Sequence, residues 1–436
     1  MDYEQTVNKI HSFGKFGSSL GLERMKILMD LLNNPQDQLK IIHVAGTNGK
    51  GSVCRFLATA LHENGYKVGI YTSPFLENFT ERIEFDGKEI AKEELVSCSQ
   101  QVFKAVDKMI AMGHESPTEF ELVTAIGFLY YSQKPIDILI LEVGLGGIGD
   151  STNLIKKPLV TVFTSISYDH MDVLGETIEE IDYQKAGIIK PACPVVSNVK
   201  DRRASEVIRN VALENKCDFY DSSEIEIDVI ETSLKGSTFI PGPLPPINSL
   251  MLGRGEPIEI GMVGAHQIEN AVCALTVLEV LNKKSIIKLD LGKVKYGFKI
   301  TKFMGRFEIL QNSPYIIIDG AHNEAGVHAL SQIVNDNLSD KKVLLVVGML
   351  ADKKIDRLLA EYNEIDGDIL ASEPDSPRKL DADILCQMIK DTGRDCICGG
   401  NWLDVCKYVD NIKTNYDAII FSGSLYFIGK VRKYFR

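Results

Sequence analysis

The sequence contains no apolar run near the roughly 20 residues that a bilayer-spanning helix needs, so no such helix is expected. Nor does it carry excess positive charge. With 48 Lys and Arg against 60 Asp and Glu, the formal net charge is −12, which argues against nucleic acid and anionic membrane surfaces as partners. A framework of cysteine spacings is also missing. Nine cysteines are scattered from Cys54 to Cys406, and the one close pair, Cys396 and Cys398, lacks a second pair to complete a zinc site. Reduced thiols in a cytoplasmic protein are therefore expected. Met1-Asp2-Tyr3-Glu4 shows neither a basic cluster nor an apolar stretch, so no secretory signal is expected. Internal repeats and low-complexity tracts are absent.

What is present suits a globular protein of more than one domain. At 436 residues, 44% hydrophobic and 25% charged, the chain has apolar material for two sizeable cores. An acidic surface still permits anionic small molecules, provided that a local basic pocket receives them.

Apolar periodicity divides the chain. Ile41–Ala45 is a short β-branched run ending in a glycine-rich turn, and Val53, Phe56, Leu57, Ala60 and Leu61 then follow helical spacing, with Gly65 as its stop. Val68–Thr72, Asp137–Val143 and Leu159–Phe163 read as further strands, with a helix over Glu119–Tyr131. Continuous apolar runs of this kind belong to parallel strands buried on both faces. From about Cys217 to Ile260, where Pro241, Pro243, Pro245 and Pro246 cluster, short antiparallel strands and loops attached to the first domain are expected. Alternation resumes with Tyr315–Asp319, Val343–Val347 and Ala418–Phe421. The expected architecture is a P-loop-type, mostly parallel α/β domain over residues 1–298 and a smaller Rossmann-like α/β domain over 299–436.

Val44-Ala45-Gly46-Thr47-Asn48-Gly49-Lys50-Gly51-Ser52 joins strand to helix. Glycines there let the backbone wrap an anion at a helix N-terminus, Lys50 can reach outer phosphates, and the Ser52 hydroxyl can approach a phosphate or its metal. The spacing departs from G-x-x-x-x-G-K-[ST], with Val44 at the first glycine position and Gly51 between Lys50 and Ser52. A plain glycine turn with an exposed lysine is the bland alternative; its position opening an amphipathic helix favours a nucleotide site.

This loop resembles that of the Mur ligase superfamily and, within it, the folylpolyglutamate synthase and dihydrofolate synthase family. Further segments appear in that family's order: Leu20–Arg24, Thr72-Ser73-Pro74, Glu81-Arg82-Ile83, Thr118–Glu121, Glu142–Gly147, Ile166–His170, Lys185–Ile188, Gly264–Gln267 with Asn270, Gly305–Glu308, Asp319–Asn323 and Ser422–Tyr426. Three positions depart from the usual pattern. Phe75 replaces a histidine, Ile148 an arginine and Met304 a proline.

The resemblance implies an ATP- and magnesium-dependent ligase that joins L-glutamate to a folate or pteroate through an acyl phosphate. It implies ATP contacts at Thr47, Asn48, Gly49, Lys50, Gly51, Ser52, Asn270, Arg306 and Asp319. Magnesium ligands would be Ser73, Glu142, His170 and a carbamylated Lys185, and the catalytic set Lys50, His170, Lys185 and Arg306. Substrate contacts would be Gly21, Leu22, Thr118, Phe120, Asp150, Thr152 and His322. Taken alone, a strand-end glutamate is commonly a cap, a loop histidine surface, and a helical lysine such as Lys185 solvated; histidine is also an unusual partner for magnesium. A small-molecule enzyme acting as a monomer is expected. The alternatives are a cell-wall Mur ligase acting on a nucleotide-linked peptide and a nucleotide-binding module without ligase activity.

Overall fold

A computed structural model describes residues 1–16, 21–244, 253–353 and 355–436. Leu20, Pro245 and Pro246 of the segments above lie outside them. The chain divides into two compact units: Met1–Asp228, Phe239–Glu259 and Glu269–Thr301 form the first, and Val229–Thr238, Ile260–Ile268 and Lys302–Arg436 the second. A single cut at residue 298 does not follow these units, nor does residues 217–260 belonging wholly to the first. The physical reason is packing: Leu234 and Val263 join the second unit's apolar core, and take their segments with them.

The first unit is built on an eight-stranded sheet of β1 (Ile41–Ala45), β2 (Val68–Tyr71), β3 (Ile83–Phe85), β4 (Lys88–Glu89), β5 (Ile138–Glu142), β6 (Val160–Phe163), β7 (Val195–Ser197) and β8 (Phe219–Asp221). Their order is β4-β3-β2-β5-β1-β6-β7-β8. All pairs are parallel except those joining β2 to β3 and β3 to β4. β1, β2, β5 and β6 are buried along their whole length, as strands covered by helices must be. The helix Lys50–Glu63 buries Val53, Phe56, Leu57, Ala60 and Leu61, and Gly65 just beyond it takes φ +91°. Thr118 caps the helix Glu119–Ser132 through a capping box with Glu121. Strand order reverses around β1, between β5 and β6, and such a switch point leaves a crevice at the carboxyl ends of the strands.

Three short strands, β9 (Ile227–Ser233), β10 (Gly236–Pro241) and β11 (Ile258–Ile260), form a second sheet in the order β11-β10-β9. The second unit has a six-stranded sheet of β12 (Glu308–Asn312), β13 (Tyr315–Ile318), β14 (Val343–Gly348), β15 (Asp368–Glu373), β16 (Cys396–Asn401) and β17 (Ala418–Ser422). Its order is β12-β13-β17-β14-β15-β16, parallel apart from β12. Ile317, Leu345, Ile369 and Ile420 of these strands contribute to its core.

One expectation is corrected here. Cys386 and Cys398 form a disulfide, so the cysteines are not all thiols. The helix Ala382–Asp391 packs beside β16 and brings their Cα atoms within 5.6 Å, a proximity that sequence spacing does not announce. The other seven are free. Among the described residues, no helix is long and apolar enough to cross a membrane.

Candidate active site

Strand register gathers the candidate residues of the first unit. Val44 pairs with Glu142, Tyr71 with Leu141 and Ala45 with Phe163. The segments that follow β1, β2, β5 and β6 therefore leave the sheet at one edge: the phosphate loop, Ser73, Glu142 and the Thr164–His170 stretch.

Two glycines shape the phosphate loop. Gly46 has φ +151°, and a Cβ there would stand 1.9 Å from the Thr164 hydroxyl oxygen. Gly49 has φ +85° and caps the helix Lys50–Glu63; a Cβ would meet the Asn270 side-chain oxygen at 2.4 Å. Only glycine tolerates both the backbone and the contact. Asn270 is thus brought against the loop. The loop is braced from behind. Thr47 N–H donates to the Ser165 carbonyl at 2.6 Å and its hydroxyl to the Ser167 carbonyl at 3.1 Å, while Thr164 and Ser165 hydroxyls donate to the Asn48 carbonyl at 2.6 and 3.1 Å. Gly51 and Ser52 lie in the first turn, where free backbone N–H groups point out of the helix, and Ser52 is buried.

Lys50 Nζ donates to the carbonyls of Gly46 and Thr47 at 3.0 and 3.1 Å. Lys185, on the helix Ile178–Ala186, reaches the same Gly46 carbonyl at 3.2 Å. Far from being solvated, Lys185 is 5% exposed. Burial, and then the charge of Lys50, push its ammonium down to about 7. One turn earlier, Asp182 is fully buried and neither carboxyl oxygen has a hydrogen-bond partner. Burial pushes this acid up to about 8, against the pull of Lys185. Two lysines thus share one acceptor beside an acid that burial keeps protonated.

At the neighbouring strand ends, the Ser73 N–H donates to Glu142 Oε2 at 3.2 Å, just before a cis Ser73–Pro74 peptide. Glu142 is 5% exposed, and its charge raises the buried Cys54 thiol further. His170 takes a left-handed backbone (φ +50°), and its exposed ring stands 3.9 Å from an Asp169 carboxylate oxygen. Among the described residues, no three His, Cys, Asp or Glu side chains cluster as a metal site. A serine and a buried glutamate, joined at strand ends, nonetheless offer the oxygen donors that magnesium prefers. That pair fits the ion better than the exposed imidazole.

Of the expected substrate residues, several converge in the first unit. Gly21 N–H donates to the Gly149 carbonyl at 3.1 Å, and Leu22 opens the helix Glu23–Leu31, which Arg24 ties to Glu121 at 3.1 Å. Phe120 packs over Gly144 and lies 6.3 Å, ring to ring, from Tyr71. Asp150 and Thr152 are buried within this wall. Asp150 accepts from the Leu145 and Thr152 N–H groups at 2.8 and 2.9 Å and from the Thr152 hydroxyl, whose oxygen faces His43 Nε2 at 2.9 Å. The single hydroxyl proton goes to Asp150, so His43 must donate from Nε2. Thr118, whose hydroxyl accepts the Glu121 N–H at 3.3 Å, serves as a helix cap.

Arg306, Asp319 and His322 stand in the second unit. Asp319 is half-buried and accepts from the N–H groups of Phe307 and Ala321 at 2.7 and 2.8 Å; desolvation raises it and Arg306 opposes that rise. His322 Nδ1 donates to the Gly320 carbonyl at 2.7 Å. The bracing hydroxyls of Thr164 and Ser165, the backbone bonds from Ser167 to the Thr47 hydroxyl and the buried acid of Asp182 escape the sequence-based reading. The only signal for the first three was a run of small hydroxyl residues at the end of an apolar strand.

Comparison with known proteins agrees with this arrangement. Residues 44–278 match the Mur ligase middle domain, and residues 305–425 match the Mur ligase glutamate ligase domain. A Bacillus subtilis (strain 168) protein, dihydrofolate synthase/folylpolyglutamate synthase, is 35% identical over 439 residues, covering 99% of this chain and 98% of the relative. The crystal structure of folylpolyglutamate synthase from Thermotoga maritima superposes with a TM-score of 0.84 at 31% identity, over 99% of this chain and 96% of that one. Mycobacterium tuberculosis folylpolyglutamate synthase complexed with ADP and AMPPCP gives 0.87 at 27% identity, over 100% and 99%. With both Mur ligase domains matched, its fold and the full length of its sequence in common with these proteins, the chain belongs to the folylpolyglutamate synthase/dihydrofolate synthase family of Mur ligases.

Proposed function

We propose that this ligase uses ATP to phosphorylate the carboxylate of a folate or pteroate and then joins it to L-glutamate. The observation that carries the reading is the meeting of Lys50 and Lys185 on the Gly46 carbonyl, within a glycine turn that opens a helix. ADP and AMPPCP bound to the Mycobacterium tuberculosis relative support ATP as the phosphate donor.

A carboxylate is a poor electrophile, and amide formation in water is uphill. Transfer of the γ-phosphoryl group to a carboxylate oxygen gives an acyl phosphate and releases ADP. The glutamate nitrogen, having lost a proton, then attacks the acyl carbon and expels phosphate. The N–H groups of the first helical turn and the Lys50 ammonium hold the phosphates and offset charge as it moves to the leaving oxygen. Magnesium, held by Ser73 and Glu142 and, by family resemblance, His170 and a carbamylated Lys185, would screen the phosphate charge. An amine that burial makes easy to deprotonate suits carbamylation, since only the neutral form attacks carbon dioxide. Gly21, Leu22, Thr118 and Phe120 form the folate side of the site, with Asp150 and Thr152 shaping that wall from within. Arg306, Asp319 and His322 remain assigned to ATP and substrate on resemblance alone, within a glutamate-ligase domain over 299–436. A cytoplasmic monomer completes the reading, and sizing by light scattering tests the latter.

The deciding experiment follows ADP release with tetrahydrofolate plus glutamate, dihydropteroate plus glutamate, and a nucleotide-linked cell-wall peptide precursor. Turnover with a pterin substrate is expected. Turnover with the peptide precursor alone would overturn the folate assignment, and nucleotide binding without amide formation on any of them would overturn the ligase.

A further inference from the structure

Arg82 follows Glu81 at the edge of the site, and its backbone carbonyl accepts the Thr72 N–H at 3.1 Å, one residue before Ser73. Its guanidinium lies 5.3 Å from the Phe75 ring centroid and 5.5 Å from that of Phe79, two rings tilted at 59° to each other. Aromatic faces cover a guanidinium plane but leave its in-plane N–H donors to find acceptors. Here none is found. Arg82 Nε is buried without a hydrogen-bond partner, and no carboxylate pairs with the side chain among the described residues.

The acids closest in sequence are committed elsewhere. Glu81 accepts the N–H groups of Leu76, Glu77 and Asn78, folding the loop that carries Phe75, and Glu84 pairs with Arg55. A cation partly withdrawn from water and left without a counter-ion is costly unless an anion arrives. The Tyr71 hydroxyl locates the group: it feels the charges of Arg82, Asp150 and Glu142 together, and bonds Thr124 at 3.0 Å. Arg82 therefore lies near Tyr71, and its backbone is bonded to Thr72, the residue before Ser73.

We propose that Arg82, clasped by Phe75 and Phe79, binds the non-reacting carboxylate of a glutamyl-bearing folate and so sets preference among the substrates of this ligase. The inference rests on the folate reading above. A folate ending in glutamate carries two carboxylates, of which one is phosphorylated and the other stays anionic. Dihydropteroate has only the carboxylate that reacts. A cation dedicated to the spectator carboxylate discriminates between these substrates, and planar, bidentate recognition of a carboxylate is what a guanidinium does best.

The test measures equilibrium binding of tetrahydrofolate, and of the same folate with its non-reacting carboxylate converted to a carboxamide, in the presence of AMPPCP. It uses the intact protein and Arg82→Gln, with thermal melting to verify that both are folded. Wild type is expected to prefer the acid over the amide by about 30-fold, and Arg82→Gln to bind both alike. Steady-state KM for tetrahydrofolate should rise by a similar factor in Arg82→Gln while kcat, and KM for dihydropteroate, change by less than about threefold. Arg82→Lys should recover part of the preference, because charge returns without the planar fork. An unchanged acid-to-amide ratio in Arg82→Gln overturns the assignment. If wild type neither binds nor uses any folate, the parent reading falls instead, and the two failures are distinguishable.

Discussion

At the edge of the first sheet, the side chains of Lys50, Lys185 and Arg82 have backbone carbonyls or aromatic rings as neighbours, and no carboxylate lies within ion-pair reach of them among the described residues. Three cations of the second unit are handled differently, although its Arg306 resembles Arg82 in lying 5.8 Å from an aromatic ring, that of Phe303. Arg432 pairs with Glu308 at 2.9 Å, Lys430 with Asp375 at 2.9 Å and Arg378 with Asp352 at 3.0 Å. The first arrangement is electrostatically incomplete and the second is satisfied. Since exposed pairs contribute little, the contrast concerns readiness for anions more than stability. It marks the strand ends of the first sheet as one place that is ready for negative ligands.

Removing charge from the incomplete edge should have the largest effect. Lys50→Ala is expected to lower kcat for ADP formation by about 10³-fold, as loss of a phosphate-clamping cation does. A variant with untouched turnover would break the comparison. Lys185→Ala should lose on the order of 10²-fold and regain part of it with bicarbonate or a short carboxylic acid, which can stand in for a missing carbamate. Full activity without additive would remove the carbamate role.

Gly49→Ala probes shape rather than charge. Its Cβ would collide with Asn270 at a left-handed backbone position, so KM for ATP should rise roughly tenfold and the protein should lose about 1–2 kcal/mol in denaturant titration. Unchanged values would mean that Asn270 does not lie against the loop.

The last test concerns stability and leaves turnover aside: it addresses Asp182, whose buried acid is pushed up to about 8. Its folded form keeps the proton while the unfolded chain loses it near the ordinary carboxyl value, so this group's stabilisation is full below that value and is lost as pH rises towards 8. Asp182→Asn should therefore gain on wild type by about 4 kcal/mol between pH 5 and pH 8, measured by urea unfolding. A difference that does not grow with pH would show the acid to be ionised and paired.

Much of the first sheet was legible because buried parallel strands are written as uninterrupted apolar runs, and Ile41–Ala45 and Ile138–Glu142 are such runs. The phosphate loop was legible through Gly46, Gly49 and Lys50. β16 was not, since Cys-Ile-Cys-Gly-Gly-Asn carries little apolar signal, and neither was the disulfide from it to Cys386. Lys185 illustrates the limit. On the sequence it is one cation on a helix, and only the folded chain brings it through the interior to Gly46. The segments at 229–238 and 260–268 belong to the second compact unit, which chain order does not announce where a strand leaves one core for another.

If Lys50 holds the nucleotide as proposed, the carbonyl of Gly46 shapes how nucleotide enters. With Lys50 already resting on it, an arriving phosphate does not fill a void but replaces a resident oxygen in the ammonium's shell. Entry is then an exchange of acceptors, in which a neutral oxygen gives way to a charged one. Weak or singly charged solutes gain little by that trade, whereas a triphosphate gains with each oxygen it presents. A backbone group that never reacts thus filters what the lysine will hold.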